Sequence, residues 1–271
     1  MSYLDDQISR IDSIITEAQA SIEEYAIWRK AVIFEAVTKG LNPKAQMKET
    51  GLEWLGKIPS DWHLVRITRL LDYSHPYPIG DGDHGLVKPT DYLDEGIPYL
   101  RVQNVGWGTE ITLDNVVYIS EETNSKIASS TLRPNDILFA KTGATIGKTG
   151  IIPSNIPIAN TTSHVGKITI QRKFNPKFIL YVLSSQVGYN QFWEVAGKKT
   201  TRPELSIDEI KAIKVVLPPT REEQDKIVEH LDHRIVDIDI MIAEKQNVIA
   251  DIETYKRSLI YEAVTGKRKV V

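Results

Sequence analysis

The fold is decided by a stretch that the chain contains twice. It reads LDDQISRIDSIITEAQASIEEYAIWRKAVIFEAVT at residues 4–38 and LDHRIVDIDIMIAEKQNVIADIETYKRSLIYEAVT at residues 231–265, and the two copies align without a gap. Both copies close on the same four residues, Glu35–Thr38 and Glu262–Thr265. An internal repeat indicates one structural unit used more than once. The chain is therefore expected to begin and end with the same element, around an unrelated middle.

Both copies advance through mainly apolar positions in alternating steps of three and four. In the first copy these positions are Leu4, Ile8, Ile11, Ile15, Ala18, Ile22, Tyr25, Arg29, Val32 and Ala36, and in the second they are Leu231, Ile235, Ile238, Ile242, Lys245, Ile249, Ile252, Lys256, Leu259 and Ala263. A sustained period of about 3.5 residues is typical of a coiled-coil seam. Neither copy contains Pro or Gly. The sequence thus predicts two long helices, each with an apolar stripe that needs a partner.

Capping signals mark where these helices end and begin. Gly40 follows the first copy, and Asn42-Pro43 lies just beyond it, a combination that stops a helix. Pro218-Pro219 precedes the second copy, where Thr220 as N-cap and Glu223 three residues later form a capping box. The first helix is predicted to end near Gly40, and the second to begin at about Thr220.

The nearest partner for each apolar stripe is the other copy. We expect a long antiparallel two-helix coiled coil formed by residues 1–40 and 220–271, with one domain at residues 41–219 between them. Ordinary amphipathic helices packed on one globular core are the simplest alternative. Swapped or four-helix homodimers would use the same stripes, so they also remain open.

The middle of the chain predicts short strands and turns, followed by helices. The expected strands are residues 62–67, 98–105, 115–119, 137–140, 164–170 and 213–217. Asn175 and Pro176 open a helix that runs to about Gln186, with Gly188 as its stop. Strands early and helices late indicate an α+β domain with a mixed, mostly antiparallel sheet.

Composition limits the class of protein. The chain has 271 residues and no Cys, which excludes disulfides and thiolate metal sites and fits a reducing compartment. We find no signal peptide and no apolar run near the roughly 18 residues that a membrane span requires. A cytoplasmic protein without membrane contact is expected.

The net charge of −3 conceals an uneven distribution. Residues 42–219 carry 20 Lys/Arg against 18 Asp/Glu, whereas the terminal arms carry 13 against 18. Within residues 141–214 the excess rises to 11 basic residues against four acidic ones. A local positive excess suits a polyanion such as nucleic acid, which would repel the acidic arms.

No catalytic arrangement stands out. Gly143 and Gly147 with Lys148 resemble a Walker A loop, but three residues separate the glycines where four are needed, and a strand is expected next instead of a helix. Glu209 and Lys211 imitate half of a nuclease site without an acidic partner at a suitable upstream spacing. The six histidines show no ligand spacing. We therefore predict no catalytic residue, no metal site and no cofactor.

Loops that carry DNA-contacting groups are concentrated in the basic half of the middle domain. The candidate DNA-binding residues are Tyr77, His84, Arg101, Gln103, Asn104, Lys141, Thr142, Thr145, Lys148, Asn160, Thr161, Thr162, His164, Lys198, Lys199, Thr200, Thr201 and Arg202. Cations and hydroxyls suit phosphates, and Arg, Gln and Asn can pair with base edges. A solvated loop explains any single residue equally well, so it is the concentration of the group that favours DNA.

Several motifs, in order along the chain, resemble the DNA specificity subunit of type I restriction–modification systems. They are Gly51–Pro59 with Trp62, Gly96–Arg101, Leu132–Leu138, Thr142–Lys148, and Pro218-Pro219 with Glu222–Gln224 and Ile227-Val228. The resemblance covers essentially the whole chain. That family usually carries two recognition domains and two conserved helices, so this chain resembles the second half of such a subunit together with its central helix.

The resemblance implies a non-catalytic reader of double-stranded DNA. Its recognition domain would read part of a split target, and its helices would dock methyltransferase subunits and, through them, the restriction subunit. A homodimer would read a symmetric bipartite site, and a monomer a half-site. One rival is a coiled-coil assembly or adaptor protein with a protein-binding middle domain. Another is a nuclease or nucleotide hydrolase working through residues 143–149 or 209–211.

Overall fold

Long helices at both ends and short strands between them form the fold. The computed structural model describes residues 3–198 and 203–267. The helices are α1 (Tyr3–Lys39), α2 (Glu121–Lys126), α3 (Pro176–Ser184), α4 (Gln186–Ala196), α5 (Ile207–Ala212) and α6 (Arg221–Val264). The strands are β1 (Met47–Glu49), β2 (Lys57–Pro59), β3 (His63–Arg66), β4 (Ile79–Asp81), β5 (Ile97–Leu100), β6 (Trp107–Glu110), β7 (Val117–Ile119), β8 (Ile137–Ala140), β9 (Thr149–Ile151), β10 (Asn160–Thr161), β11 (Val165–Ile168) and β12 (Lys214–Leu217). This confirms the expected α+β class with long terminal helices. Over the described ranges, no helix combines the length and the apolar character that crossing a membrane demands.

The chain divides into two compact units. Met1–Val32 and His230–Val271 form the first, which we call the helical unit, and Ile33–Glu229 forms the second, the sheet unit. Each long helix therefore contributes to both units. Val37 of α1 and Ile227 of α6, for example, are buried residues of the sheet unit.

Within the helical unit, α1 and α6 pair antiparallel. Arg29 Nε lies 3.3 Å from Asp239 Oδ1, and Lys256 Nζ lies 2.5 Å from Asp12 Oδ1. Asp12 lies 17 residues before Arg29 on α1, and Lys256 lies 17 residues after Asp239 on α6. Both ion pairs therefore belong to one antiparallel register. Every predicted seam position is buried or half-buried. The predicted helix pairing is confirmed, with charged seam residues that fix its register.

Both helix ends fall where the capping signals place them. α1 stops before Gly40, which has a φ of +72°, and the Thr220 hydroxyl accepts a hydrogen bond from the Glu223 amide at 3.2 Å. The buried Trp62 joins these two ends within the sheet unit. Its Nε1 donates to Glu223 Oε1 at 3.0 Å, and its ring lies 3.0 Å from where a side chain on Gly40 would begin. The ring also meets Phe178 of α3 edge to face.

The largest sheet has five strands in the order β4-β11-β8-β9-β6. Its strands pair antiparallel except at one edge, where β6 runs parallel to β9. The remaining described strands form a three-stranded sheet (β10-β5-β7) and two pairs (β1-β2 and β12-β3). One buried cluster joins Leu138 and Val165 of the five-stranded sheet to Leu100 of β5, and a second joins Tyr99 of β5 to Ile119 of β7. Neighbouring strand residues point to opposite faces, so β5 connects the two clusters.

The helix predicted from Asn175 is shorter than expected, and Gly188 does not stop it. α3 ends at Ser184, and the hydroxyl of Ser185 caps a new helix, α4. Gly188 lies in the first turn of α4, where any Cβ would come within 2.0 Å of the Leu183 carbonyl oxygen. Glycine therefore permits a tight break between two helices, where the sequence suggested a terminator.

The strand expected at residues 98–105 is also shorter, because β5 ends at Leu100. The side-chain oxygen of Asn104 accepts a hydrogen bond from the Arg101 amide at 3.0 Å and folds residues 102–104 into a turn. Residues 79–81, which lie outside the strands expected from the sequence, form β4. Local side-chain bonding and sheet pairing account for both differences.

Candidate nucleic-acid interface

One end of the five-stranded sheet gathers segments that are far apart in the sequence. β4 and β8 end there, whereas β11, β9 and β6 begin there. The register establishes this, because Asp81 lies opposite Gly166, Ala140 lies opposite Val165, and Trp107 lies beside Thr149. We call this region the loop end of the sheet, and define it as residues 81–84, 107, 141–148 and 162–164.

A buried ion pair holds the loop end together. Lys141 is only 4% exposed, and its Nζ bonds the carboxylate of Asp81. His84 Nε2 lies 3.1 Å from the other oxygen of Asp81, and Glu204 Oε1 lies 4.0 Å from the lysine. The predicted role of Lys141 as a DNA contact is therefore not supported by its placement. Its charge is used inside the protein to join three segments.

Thr142 and His164 connect two more predicted segments. Their side chains meet at 3.3 Å, with Thr142 buried and His164 exposed. The Gly143 amide donates to the Pro203 carbonyl at 2.9 Å, and the Leu205 amide donates to the Lys141 carbonyl at 2.9 Å. The chain that follows residues 199–202 is thus fastened to the loop end.

Asp83 fixes the turn after β4. Its Oδ1 accepts from the Ser163 amide at 3.2 Å, and its Oδ2 accepts from the Val87 amide at 2.8 Å. Burial, reinforced by the charge of Asp83, raises the pKa of the Tyr99 phenol far above its usual value. The phenol therefore stays protonated as a donor beside this carboxylate. His84 is the next residue along the turn that the bonds of Asp83 hold.

Two aromatic residues that the sequence did not single out complete the surface. Trp107 is 52% exposed and Tyr189 is 42% exposed. Gly147, with a φ of +101°, lies between them: an added Cβ would meet the Tyr189 ring at 3.0 Å and the Trp107 ring at 3.4 Å. The half-buried Lys148 follows directly. The only sequence signal for this feature is the run Gly106-Trp107-Gly108 at the start of an edge strand.

Three predicted contact residues lie inside the protein. Asn160 and Thr161 are fully buried in β10, where Asn160 Nδ2 donates to Asn124 Oδ1 at 2.8 Å and Thr161 Oγ1 donates to the Leu100 carbonyl at 3.0 Å. Asn104, 2% exposed, donates to the carbonyls of Thr112 and Asp114. Their hydrogen bonds stabilise the sheets, and their placement argues against direct contact with DNA.

Two other candidates lie away from the rest. The Arg101 guanidinium donates to the Asn115 carbonyl at 2.6 Å, which holds the turn before β7. Tyr77 is 44% exposed, but it precedes β4 and therefore lies at the opposite end of that strand from His84. Neither residue belongs to the loop end.

The remaining predicted residues are accessible or lie outside the described ranges. His84, Gln103, His164 and Lys198 are exposed, whereas Thr145, Lys148 and Thr162 are half-buried. The Thr145 hydroxyl donates to the Thr142 carbonyl at 2.8 Å. Lys199, Thr200, Thr201 and Arg202 lie outside the residues that the structure describes.

The positive excess at residues 141–214 is weaker on the surface than in the sequence. Lys141 and Lys167 are both buried and ion-paired. Lys198 lies 3.5 Å from Glu194, but both side chains are largely exposed, so the lysine remains accessible to a ligand. In the described ranges, His, Asp and Glu side chains form no group of three or more suited to a metal ion.

A family model described as the type I restriction modification DNA specificity domain matches residues 60–251. The matched region includes the five-stranded sheet, all of its loop end, and the first part of α6. The chain belongs to this family. The class suggested by the sequence motifs is thereby confirmed.

Individual relatives agree with this assignment. The chain is similar to the type I restriction enzyme EcoBI specificity subunit of Escherichia coli, with 28% identity over 97% of this chain and 55% of that protein. Its fold resembles a solved chain from a study of complex assembly and conformational transition in the type I R-M system, with a TM-score of 0.68 and 16% identity over 96% of this chain and 56% of that one. The HsdS subunit from Thermoanaerobacter tengcongensis gives a TM-score of 0.56 and 15% identity over the same shares. This chain therefore spans about half the length of the relatives that it matches.

Proposed function

We propose that this chain is a non-catalytic DNA-specificity subunit that reads double-stranded DNA with the loop end of its five-stranded sheet. The observation that carries the proposal is the convergence, on one sheet end, of His84, His164, the Gly143–Lys148 turn and the anchored segment that starts at Pro203. Buried bonds hold these segments, so accessible side chains are presented on a rigid base. A rigid arrangement of polar side chains is what reading base edges requires.

The proposed contacts divide into two classes. Lys148, Lys198, Lys199 and Arg202 would bind phosphates and supply affinity that depends on salt. Gln103, Thr162, His84 and His164 carry groups able to meet base edges. Trp107 and Tyr189 add apolar surface beside Lys148, suited to sugars and thymine methyl groups. The chain itself would perform no chemistry.

Changing Lys198, Lys199 and Arg202 to Ala tests the proposal directly. If each cation neutralises one phosphate, the slope of log K against log salt should fall by about three, and affinity should weaken for all sequences alike. Fluorescence anisotropy with duplex DNA over a range of salt concentrations measures both quantities.

A matched control removes the same charge elsewhere. Lys39, Lys44 and Lys57 are exposed, and their replacement by Ala should leave the slope nearly unchanged. Equal slopes for the two triple variants would remove Lys198, Lys199 and Arg202 from the interface. Absence of any salt-dependent DNA binding in the wild-type chain would favour the adaptor alternative.

We assign the partners to the helices. Residues 1–40 and 220–271 would dock methyltransferase subunits and, through them, the restriction subunit, whereas residues 41–219 would form the recognition domain. The acidic balance of the terminal arms supports this division, because it disfavours contact with DNA. A DNA-reading subunit of this kind would work in the cytoplasm.

A homodimer is the assembly that the helical unit supports best. Several apolar side chains of this unit remain exposed: Ile14, Ile27, Val236, Ile240, Val248 and Tyr255. Seam residues such as Ile15 and Ile249 are only half-buried by the helix pair. A second copy would cover these faces in a four-helix arrangement. It would also bring two recognition domains together.

Mass measurement in solution tests this assembly. The wild-type chain should elute at twice 30.6 kDa, and the double change Ile240→Asp/Val248→Asp should shift it to 30.6 kDa at the same concentration. Burial of each exposed apolar side chain contributes about 1.5–3 kcal/mol to association. The dissociation constant of the dimer should therefore rise by a hundredfold or more in the double variant. Gln246→Glu adds a charge at an exposed position about 120° round the helix from Ile240, and it should leave the dimer intact. A monomeric wild-type chain would contradict the proposal.

A further inference from the structure

The other end of the five-stranded sheet borders a cavity with a different character. β8 begins there after Asp136, and β11 ends there before Thr169. The cavity has a volume of about 440 Å³ and belongs entirely to the sheet unit. Because β8 and β11 are antiparallel, it lies at the opposite end of both strands from Lys141 and His164.

His75 lines this cavity, and its ring carries a buried donor without a hydrogen-bond partner. Its Nδ1 accepts a hydrogen bond from the Tyr77 amide at 3.0 Å, so the proton of the neutral ring lies on Nε2. That Nε2 is buried and has no hydrogen-bond partner within the described ranges. Burial, and next the charges of Lys167 and Arg133, lower the pKa of His75. The ring is therefore a neutral donor without an acceptor, and this state costs free energy unless something binds.

Arginines from separate segments line the same cavity. Arg133 precedes β8 and Arg172 follows β11, and both side chains are exposed. Arg221, at the start of α6, already donates to Asp225 at 2.6 Å and to the carbonyls of Arg172 and Phe174. It therefore supports the wall, and it leaves Arg133 and Arg172 as the cations that can meet a ligand.

The acidic residues of the cavity are engaged by other donors. Asp136 accepts from Thr169 Oγ1 at 2.6 Å and from the Arg133 amide at 2.9 Å, and it lies 3.8 Å from Lys167 Nζ. Asp72 accepts from the amide and hydroxyl of Ser74, and these bonds lower its pKa. Lys167 balances the charge of Asp136, whereas the donors to Asp72 are neutral. Asp72 is therefore the one lining carboxylate, among the described residues, that would oppose an anion. Arg133 and Arg172 together exceed it in charge.

We infer that this cavity binds a phosphate group. His75, Arg133 and Arg172, from three segments, line it, and each carries a donor: the Nε2 proton of His75 and the two guanidinium groups. A tetrahedral oxyanion offers four acceptor oxygens to donors that approach from different sides, whereas a carboxylate offers two in one plane. The volume also admits more than a bare ion. The phosphate is either free or part of a nucleic-acid backbone, and the proposal is independent of how the loop end reads DNA.

Titration of the full chain with inorganic phosphate, followed by NMR of the histidine side chains, tests the inference. The His75 signals should shift in a saturable manner, and the pKa of His75 should rise toward its ordinary value once an anion accepts the Nε2 proton. Arg133→Gln and Arg172→Gln should each weaken the phosphate midpoint by about tenfold, the usual loss for one charge-assisted hydrogen bond. Arg66→Gln, an exposed change on β3, should leave it unchanged. His75 signals that respond equally to phosphate and chloride would overturn the proposal.

Binding of duplex DNA to the Arg133→Gln/Arg172→Gln variant separates the two sources of phosphate. If the DNA backbone supplies it, the salt slope should fall by about two. If the phosphate is free, DNA binding should not change while the phosphate titration is lost. Each of these results supports the site. A variant that keeps wild-type phosphate binding but fails to capture a methyltransferase subunit would instead identify an acidic protein side chain as the occupant, and would refute it.

Discussion

Replacing Lys167 by Met is expected to lower the free energy of unfolding by about 3–5 kcal/mol. Lys167 is fully buried in the middle of β11, its Nζ donates to the Thr131 carbonyl at 2.7 Å, and Asp136 lies 3.8 Å away. Burial lowers the pKa of Lys167 and raises that of Asp136, and the opposite charge of the partner counteracts both shifts. Removing the lysine leaves a buried carboxylate without its counter-charge. Urea denaturation measures the loss.

The double variant Lys167→Met/Asp136→Leu is the control for this result. Buried ion pairs replaced by apolar residues often cost little, so the double variant should be more stable than Lys167→Met alone. The pH dependence gives a second check. A raised pKa means that folded Asp136 holds its proton more tightly than the unfolded chain does, so stability is present at low pH and lost as pH rises through that pKa. The deficit of Lys167→Met should therefore shrink on acidification, and a deficit independent of pH would contradict the explanation.

Replacing Trp62 by Ala is expected to cost a similar amount, about 3–5 kcal/mol. The side chain is 1% exposed, packs edge to face on Phe178 with ring centroids 6.4 Å apart, and bonds Glu223. Deleting it opens a cavity where α1 ends and α6 begins, and it leaves the Glu223 carboxylate without its indole donor. Thermal or urea unfolding followed by circular dichroism measures the change.

Two milder variants separate packing from hydrogen bonding at this site. Trp62→Phe keeps much of the apolar volume but loses the donor, so it should cost clearly less than Trp62→Ala. Glu223→Gln keeps an acceptor oxygen for Trp62 Nε1 and should cost about 1 kcal/mol or less. If Trp62→Phe is as damaging as Trp62→Ala, then the hydrogen bond, and not the bulk of the ring, dominates.

The sequence predicts the parts of this fold that depend on local signals. The repeat and its 3.5-residue period are sufficient for the paired terminal helices, and Gly40, Thr220 and Asn175 mark helix ends through bonds that span a few residues. The prediction that Gly188 stops a helix was wrong, because a glycine stops a helix in one setting and permits close packing in another. Only the position of Leu183 distinguishes the two.

The candidate interface was harder to predict, because burial of polar side chains depends on distant partners. Lys141 is neutralised by Asp81, 60 residues earlier, and Asn160 is satisfied by Asn124, 36 residues earlier. No local pattern separates such residues from solvent-exposed ones. The exposure of Trp107 was missed for the opposite reason, because tryptophan in a strand is usually largely buried. It is 52% exposed on β6, an edge strand of the five-stranded sheet.

The two ion pairs of the helical unit have one more consequence. The sequence repeat superimposes Arg29 on Lys256 and Asp12 on Asp239, so the two bridges are copies of each other related by an approximate dyad. An interface with that symmetry specifies antiparallel alignment, but it does not specify whether the two helices belong to the same molecule. An α1 helix facing the α1 helix of another molecule would also match Arg29 with Asp12, and would do so twice. Pairing within one molecule is favoured because residues 33–229 link the two helices covalently. Each helix is therefore present at a high effective concentration near the other.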